Sequence, residues 1–233
     1  MVLSFDDSQN LLEELRRETS LDLLGVADIR QERNTFEGFP AGLVEAFPLA
    51  IVVAVHVSTA VLNTLEDGPN LLYLHHYRQL NFQLDRAAWR IAQEIERKGY
   101  SALPIPASQI IDWQKMVGHL SHKELARLAG LGWRGRNNLL VTPRWGAQVR
   151  LASILTDFPL QPARPLQRDC GSCQRCLDVC PAKAIKREAT AFDYSACYQQ
   201  LKEFSRTRHI GQHICGLCVK ACPGPGANEK EQD

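Results

Sequence analysis

Cys170-Gly171-Ser172-Cys173-Gln174-Arg175-Cys176-Leu177-Asp178-Val179-Cys180-Pro181 is the stretch that decides the reading of this 233-residue chain. Its spacing, C-x2-C-x2-C-x3-C-P, wraps a cubane iron–sulfur cluster, because closely spaced thiolates let one loop supply three corners. The fourth cysteine of such a run points away and ligates a neighbouring cluster, so a second set must exist. Cys215, Cys218 and Cys222, followed by Pro223, repeat the tail of the motif, and Cys197 supplies the missing member from upstream. The expected metal ligands are therefore Cys170, Cys173, Cys176 and Cys222 for one 4Fe-4S cluster, and Cys180, Cys197, Cys215 and Cys218 for the other. This exchange makes the clusters neighbours, with the Gly171 and Gly216 loops as sources of backbone donors to sulfur. A pair of zinc sites is the alternative, but zinc favours two C-x2-C pairs and leaves the C-x3-C-P endings unexplained. Two adjacent clusters read as an electron conduit rather than a structural staple, since the preceding residues can fold without one.

No cysteine precedes Cys170. With 45% hydrophobic residues, the rest of the chain is ample for a core of its own. Lys and Arg number 27 against 26 Asp and Glu, and the resulting net charge of +1 gives no global field for nucleic acid or membrane. The start Met1-Val2-Leu3-Ser4-Phe5-Asp6-Asp7 lacks the basic and apolar parts of a secretion signal. No apolar run approaches the ~18 residues that span a bilayer. A cytoplasmic protein with no membrane partner is expected, where thiols stay reduced and available to metal.

Working back from the cysteines, Pro159, Pro162 and Pro165 punctuate a stretch without periodicity, which places a domain boundary there. The expected architecture is an α/β (α+β) domain over 1–164, a small ferredoxin-like double-cluster domain over 165–225 and a flexible tail over 226–233. Leu49 to Val55 is a continuous β-branched run, the mark of a strand buried on both faces and hence of helices covering a sheet. Leu74, Leu80, Leu84, Ala88, Ile91 and Ile95 mark a long helix from about Asn70 to Lys98, ended by Gly99. Leu11, Leu12 and Leu15 predict a first amphipathic helix, and Leu21 to Ile29 and Ser101 to Pro106 predict short strands. Ser121-His122-Lys123-Glu124 reads as a capping box opening a short helix that ends by Gly130. Asn138 to Thr142 and Val149 to Leu155 carry strand-like runs around a turn at Pro143-Arg144-Trp145-Gly146, and a hairpin is the simplest reading.

Ser121-His122-Lys123, then Ala129-Gly130-Leu131-Gly132-Trp133, then Gly135, Asn137, Leu139 and Leu140, and finally Leu155-Thr156-Asp157-Phe158-Pro159-Leu160, resemble the epoxyqueuosine reductases, which place the same ordered elements before the same cysteine pattern. The resemblance is best from about residue 118 to 223. It implies a cobalamin held base-off by an α/β domain and reduced by the clusters, and reductive dehalogenases are distant relatives with this pairing. It further implies cofactor-binding roles for His122, Lys123, Gly130, Gly132, Trp133, Gly135, Asn137 and Leu139, with glycines permitting close backbone approach. Two departures stand out. The family's proton-donating aspartate lies in an Asp-Ser-Ala-Pro-like stretch, which here reads Ala102-Leu103-Pro104-Ile105-Pro106-Ala107-Ser108 and carries no acid, leaving Asp112 as a nearby substitute. The family's tRNA-binding C-terminal extension is also missing from this sequence, so tRNA is not an expected partner.

Tyr73, His75, His76 and Tyr77, with Asn81 one turn on, bring titratable groups to the start of the long helix. Tyr73, His76 and Tyr77 are candidate proton donors to a reduced substrate, or simply the polar face of a helix end; adjacent histidines point to different faces and cannot both serve one site. His122 and Lys123 sit at the unfavourable positive end of a helix dipole, which points to anion or corrin contact or to plain exposure. Trp133 either stacks on the cofactor or fills the core. Arg134, Arg136, Arg144 and Arg150 are open to propionamides or an acidic substrate, none singled out, and His209 and His213 are candidates to tune the second cluster. The chemistry calls for a low-potential electron donor of ferredoxin or flavodoxin type and a small-molecule substrate or corrinoid protein. A second copy of the chain is a candidate for closing the cofactor pocket. The leading reading is an iron–sulfur, cobalamin-dependent reductase; the competing ones are a redox or corrinoid-reactivating partner protein and a cobalamin carrier.

Overall fold

The computed structural model describes residues 5–113 and 117–225, so the tail expected over 226–233 lies outside the described residues. The chain folds as two compact units, each assembled from separate stretches: the chain up to Val55 with Asn81–Leu131 and Arg150–Leu166, and His56–Leu80 with Gly132–Val149 and the residues from Gln167 onward. The second unit thus draws on two stretches that precede the proline-rich segment at which the sequence placed a single boundary. A short cysteine-rich module has little apolar surface of its own, and those stretches supply it.

The first unit is organised by a four-stranded sheet in the order β1 (Leu23–Asp28), β2 (Leu49–His56), β6 (Val149–Thr156) and β3 (Ala102–Ile105). β1 pairs antiparallel with β2, Val26 facing Ile51, and β3 pairs antiparallel with β6, Ile105 facing Ser153. Every residue of β2 from Leu49 to Val55 is buried, as its unbroken apolar run requires. β3 is an edge strand, which is why Pro104, with no N–H to give, is tolerated there.

Helix α1 (Phe5–Glu18) buries Leu12 and Leu15, and α3 (Leu71–Arg97) buries Leu84, Ala88, Ile91 and Ile95, the positions its period marked. Asn70 starts α3 by accepting the Tyr73 N–H on Oδ1 at 2.8 Å, and Gly99 follows its end at φ +85°. α4 (His122–Leu128) packs on β1. Gly25 permits this, since a Cβ there would stand 2.7 Å from the Ala129 carbonyl oxygen. Its capping box is only half made: Ser121 Oγ accepts the Glu124 N–H at 3.3 Å, while the Glu124 carboxylate pairs with Arg127.

The hairpin expected from Asn138 to Leu155 does not form. β5 (Leu140–Val141) instead pairs with β4 (Trp133–Arg134) in a separate two-stranded sheet, and β6 takes an interior place in the main sheet. The local turn exists, closed by the Thr142 and Gly146 backbones. Burial separates the two strands: β6 is buried throughout from Leu151 to Thr156 and needs a sheet neighbour on each side, which a short hairpin cannot give.

The second unit has its own apolar core of Val57, Leu62, Leu65, Tyr73, Leu74, Ile210, Ile214 and Leu217. Within it, α7 (Leu217–Lys220) packs against α2 (Thr59–Asn63) and α5 (Arg175–Asp178), and α6 (Tyr194–Thr207) is capped by Asp193.

Candidate functional site

Each cysteine run folds as a loop followed by a single helical turn. In the first, Asp169 Oδ1 accepts the Gly171 N–H at 2.7 Å, Cys173 N–H donates to the Cys170 carbonyl, and α5 begins two residues later. Gly171 takes φ +49° to make this bend. In the second, Gly216 sits at φ +89° as the cap of α7, and Cys222 N–H closes on the Val219 carbonyl.

All eight cysteines are free thiols. The thiols that act on one another electrostatically fall into two sets. Burial pushes Cys176 up to about 11, and its thiol neighbours are Cys222, Cys170 and Cys173. Burial does the same to Cys215, whose thiol neighbours are Cys197 and Cys180. Cys218, raised further by burial, feels Cys215, Cys197 and Cys180, and also Cys176 of the other set. The two sets have the members expected of the two quartets, with Cys218 also acted on by Cys176. Among the described residues no three His, Cys, Asp or Glu side chains close on one point as a single ion requires. Four thiolates at the corners of a cubane stand farther apart than that, and iron offsets the burial that otherwise keeps the sulfurs protonated.

The second unit surrounds these loops with side chains from far upstream. Arg136 donates from Nη2 to the Gly171 carbonyl at 2.7 Å, from Nη1 to the Cys173 carbonyl at 2.8 Å and from Nε to the Arg187 carbonyl. Asn137, buried, reaches the Cys218 carbonyl with Nδ2 at 3.4 Å and accepts the Leu139 N–H on Oδ1. Ala147 N–H donates to the Cys222 carbonyl at 3.0 Å. Gly146, at φ +54°, lies so close that a Cβ would stand 2.2 Å from the Cys222 carbonyl oxygen. Tyr73 is buried with its ring against Gly216, where a Cβ would meet Tyr73 Cζ at 2.8 Å.

The structure therefore brings Tyr73, His76, Tyr77, Gly132, Trp133, Gly135, Asn137 and Leu139 into the unit that carries the cysteines, and Asp112, His122, Lys123 and Gly130 into the other. His75 is exposed and His76 half-buried, on different faces as expected. His76 Nε2 accepts the Ser58 N–H at 3.0 Å, and burial, then the charges of His56 and His75, hold its pKa below the usual value. Tyr77 packs at the rim of the apolar core, its ring 6.4 Å from that of Tyr73. Asp112 is tied by backbone hydrogen bonds to Val117.

His122 uses both ring nitrogens within its own unit. Nε2 lies 2.9 Å from the Pro106 carbonyl oxygen, which only accepts, so Nε2 carries the proton and Nδ1 accepts from Ser153 Oγ at 2.8 Å. Burial pushes its pKa down to about 4. Lys123 follows it, half-buried, on α4. The glycines answer to packing: a Cβ at Gly130 would meet the Arg164 carbonyl oxygen at 2.8 Å, one at Gly132 the Val141 carbonyl oxygen at 2.2 Å, and one at Gly135 the Val141 side chain at 2.5 Å. Trp133 differs from them. Its buried indole N–H finds no acceptor among the described residues, an orphan donor of the kind that a bound amide-bearing group satisfies.

Residues that the sequence did not single out also line this unit. His56 stacks on Trp145 at 5.5 Å, and the Arg144 guanidinium lies over the Trp145 ring, 4.5 Å from its centroid. Arg136 and Arg144 are two of four arginines that the sequence leaves open, with nothing to single them out.

Free thiols in two sets of four are the mark of a double-cluster iron–sulfur protein. Residues 169–225 match the family described as 4Fe-4S double cluster binding domain. The chain is related to the epoxyqueuosine reductases: it is 32% identical to that of Bacillus anthracis over 140 residues, covering 56% of this chain and 36% of the relative. It is 35% identical to that of Bacillus subtilis over 115 residues, covering 46% and 30%. The matched stretch thus spans about a third of these relatives' own length. The fold is shared with the catabolic reductive dehalogenase NpRdhA, at TM-score 0.73 and 18% identity over 94% of this chain and 33% of that one. It is also shared with the epoxyqueuosine reductase of Streptococcus thermophilus, at TM-score 0.59 and 19% identity over 92% and 65%. Among the described residues no helix is long and apolar enough to cross a membrane.

Proposed function

We propose that this protein is a reductase in which two 4Fe-4S clusters carry electrons one at a time from a low-potential donor to a cobalamin, for reductive chemistry on a small substrate. The observation that carries the reading is the grouping of the thiols into two sets, each drawn from both cysteine runs, which supports two neighbouring clusters and so a two-step conduit. Cobalamin is supported by a structural neighbour reported to suggest a mechanism for B12-dependent dehalogenation. The orphan Trp133 N–H fits the amide-bearing rim of such a group. When bound, cobalamin supplies a low-valent cobalt as nucleophile or electron source. The protein's part is to hold the cluster loops with Arg136 and Asn137, and to cover Gly216 with Tyr73 so that water is kept from the second loop.

Residues 102–108 carry no acid and form edge strand β3 and its exit, where the Ala107 N–H is taken up by Asp85 Oδ1 at 2.8 Å. Asp112 sits in a backbone bridge. For these reasons we read the substrate as a small molecule rather than epoxyqueuosine in tRNA. A second reading, a partner that reduces a separate corrinoid protein, follows from the same conduit if the chain binds no cobalamin. Anaerobic reconstitution, iron and sulfide analysis, and titration with cobalamin followed by visible and electron paramagnetic resonance spectra separate them. A new cobalt spectrum that responds to cluster reduction is expected. No corrinoid binding would defeat the reductase reading, and robust turnover of epoxyqueuosine tRNA would defeat the substrate reading.

A further inference from the structure

We infer that the loop holding Cys170 and Cys173 is the docking face for an acidic, low-potential one-electron carrier. The inference rests on the proposed reductase reading and names where its electrons enter. Cys173 is exposed, whereas Cys176 is buried and the loop of Cys215 and Cys218 is covered by Leu65, Tyr73 and Leu217. Electron transfer between proteins weakens steeply with distance, so exchange with a partner is favoured at the quartet that holds the most exposed thiol, Cys173. Here residues 167–173 line a shallow, open depression.

Charge says what fits it. Arg168 lines the depression, and the Arg136 guanidinium, bonded at once to the Gly171, Cys173 and Arg187 carbonyls, holds the Lys186–Arg187 segment beside the loop. With Arg136 itself, the segments around the loop and the stretch it holds contain Arg168, Arg175, Lys183, Lys186 and Arg187 against Asp169, Asp178 and Glu188. Asp169 already gives an oxygen to the Gly171 N–H. The chain as a whole is near balance at +1, whereas these segments hold an excess of basic residues over acidic ones. A carrier with an acidic rim around its cofactor is complementary to it, and such steering speeds encounter by roughly 10- to 1000-fold. A nucleic acid would meet the same charge but has no electron to deliver to an exposed thiolate edge. In the step itself one electron leaves the reduced carrier, which is oxidised by one, and the cluster held by Cys173 is reduced by one; no bond or proton moves.

The test uses the full chain reconstituted anaerobically with both clusters. Bleaching of the clusters is followed by stopped flow with reduced flavodoxin and, separately, with a photoreduced neutral deazaflavin. The flavodoxin rate is expected to fall at least ~10-fold as salt rises from about 0.05 to 0.5 M. The Arg168→Glu, Lys186→Glu double variant is expected to lower the low-salt flavodoxin rate by at least ~10-fold, with deazaflavin reduction and iron content unchanged. An unchanged or faster flavodoxin rate in that variant, with both clusters present, overturns the inference. If the double variant loses iron, Lys186→Glu alone carries the same comparison. Binding of a tRNA stem-loop that depends on these residues, with flavodoxin reduction insensitive to them, also overturns it. Failure to bind cobalamin would sink the reductase reading and leave these rates untouched, so the two failures are distinguishable.

Discussion

Arg136 joins three carbonyls that are far from it in the sequence, and replacing it should release one cluster and spare the other. Its planar fork places Nη2 on Gly171, Nη1 on Cys173 and Nε on Arg187 at the same time. A charge-assisted hydrogen bond contributes about 1.5–3 kcal/mol when shielded and nearer 1 at this half-exposed position, so Arg136→Gln removes ~3 kcal/mol from the loop. At 1.4 kcal/mol per tenfold, that is ~100-fold faster loss of the cluster bound by Cys170, Cys173, Cys176 and Cys222 under chelator challenge. Arg136→Lys keeps the charge but, with one compact ammonium, reaches one carbonyl rather than three, and recovers only about 1 kcal/mol. The charge itself acts on potential. A nearby cation favours the more negative reduced cluster, and a contribution of ~1 kcal/mol corresponds to ~40 mV for a one-electron couple. Arg136→Gln should therefore lower the potential of that cluster by roughly this amount and Arg136→Lys should not. The assay is anaerobic reconstitution, timed iron release to a chelator, and redox titration read by electron paramagnetic resonance. Two variants that keep both clusters with wild-type release rates and potentials would refute the clamp.

The quartets predict a non-local pairing of phenotypes. Cys222→Ser should damage the same cluster as Cys173→Ser, and Cys180→Ser the same as Cys215→Ser, with about half the iron retained in each case; matching spectra for Cys173 and Cys180 variants would overturn the exchange. Gly146→Ala places a methyl against the Cys222 and Gly224 backbones at φ +54°, and should cost ~2 kcal/mol or more and loosen the cluster bound by Cys222, checked by iron content and thermal unfolding. His122 is held neutral, with its pKa pushed down to about 4 by burial, while in the unfolded chain it titrates near ~6.5. As pH falls, the unfolded chain takes up this proton first. The contribution is therefore complete above ~6.5 and declines between there and about 4, and the loss amounts to roughly 2 kcal/mol by pH 5. His122→Gln, which keeps a donor for Pro106, should lose less stability between pH 7.5 and 5 than wild type in parallel denaturant titrations. Equal losses would show that another group carries the dependence.

What the sequence made legible, and what it hid, divides along one physical line. The eight candidate ligands stand out in the sequence because cubane coordination imposes short covalent spacings, and the expected swap of Cys180 and Cys222 follows from which way a C-P turn points a thiolate. α3 and β2 were readable because burial writes a period of 3.6 or an unbroken apolar run directly into the chain. Hidden were the features set by partners distant in sequence. The β-branched run Val149 to Leu155 states only that it is a strand; whether it pairs with Leu140–Val141 or enters a larger sheet depends on what lies on both its faces, and six consecutive buried residues decide for the sheet. The glycines at 130, 132 and 146 look alike on paper, yet one faces the Arg164 carbonyl, one the Val141 carbonyl and one the Cys222 carbonyl. Arg136 is the extreme case. Nothing distinguishes it from Arg134 or Arg144 in the sequence, because an arginine's use depends on whether unpaired carbonyls come within its reach, and those of Gly171 and Cys173 do so only when the glycine-rich segment and the cysteine run fold as one unit. The cluster loops therefore draw their ligands from the C-terminal third of the chain and their positioning from stretches far before it, and a break in either should appear first as loss of iron rather than loss of fold.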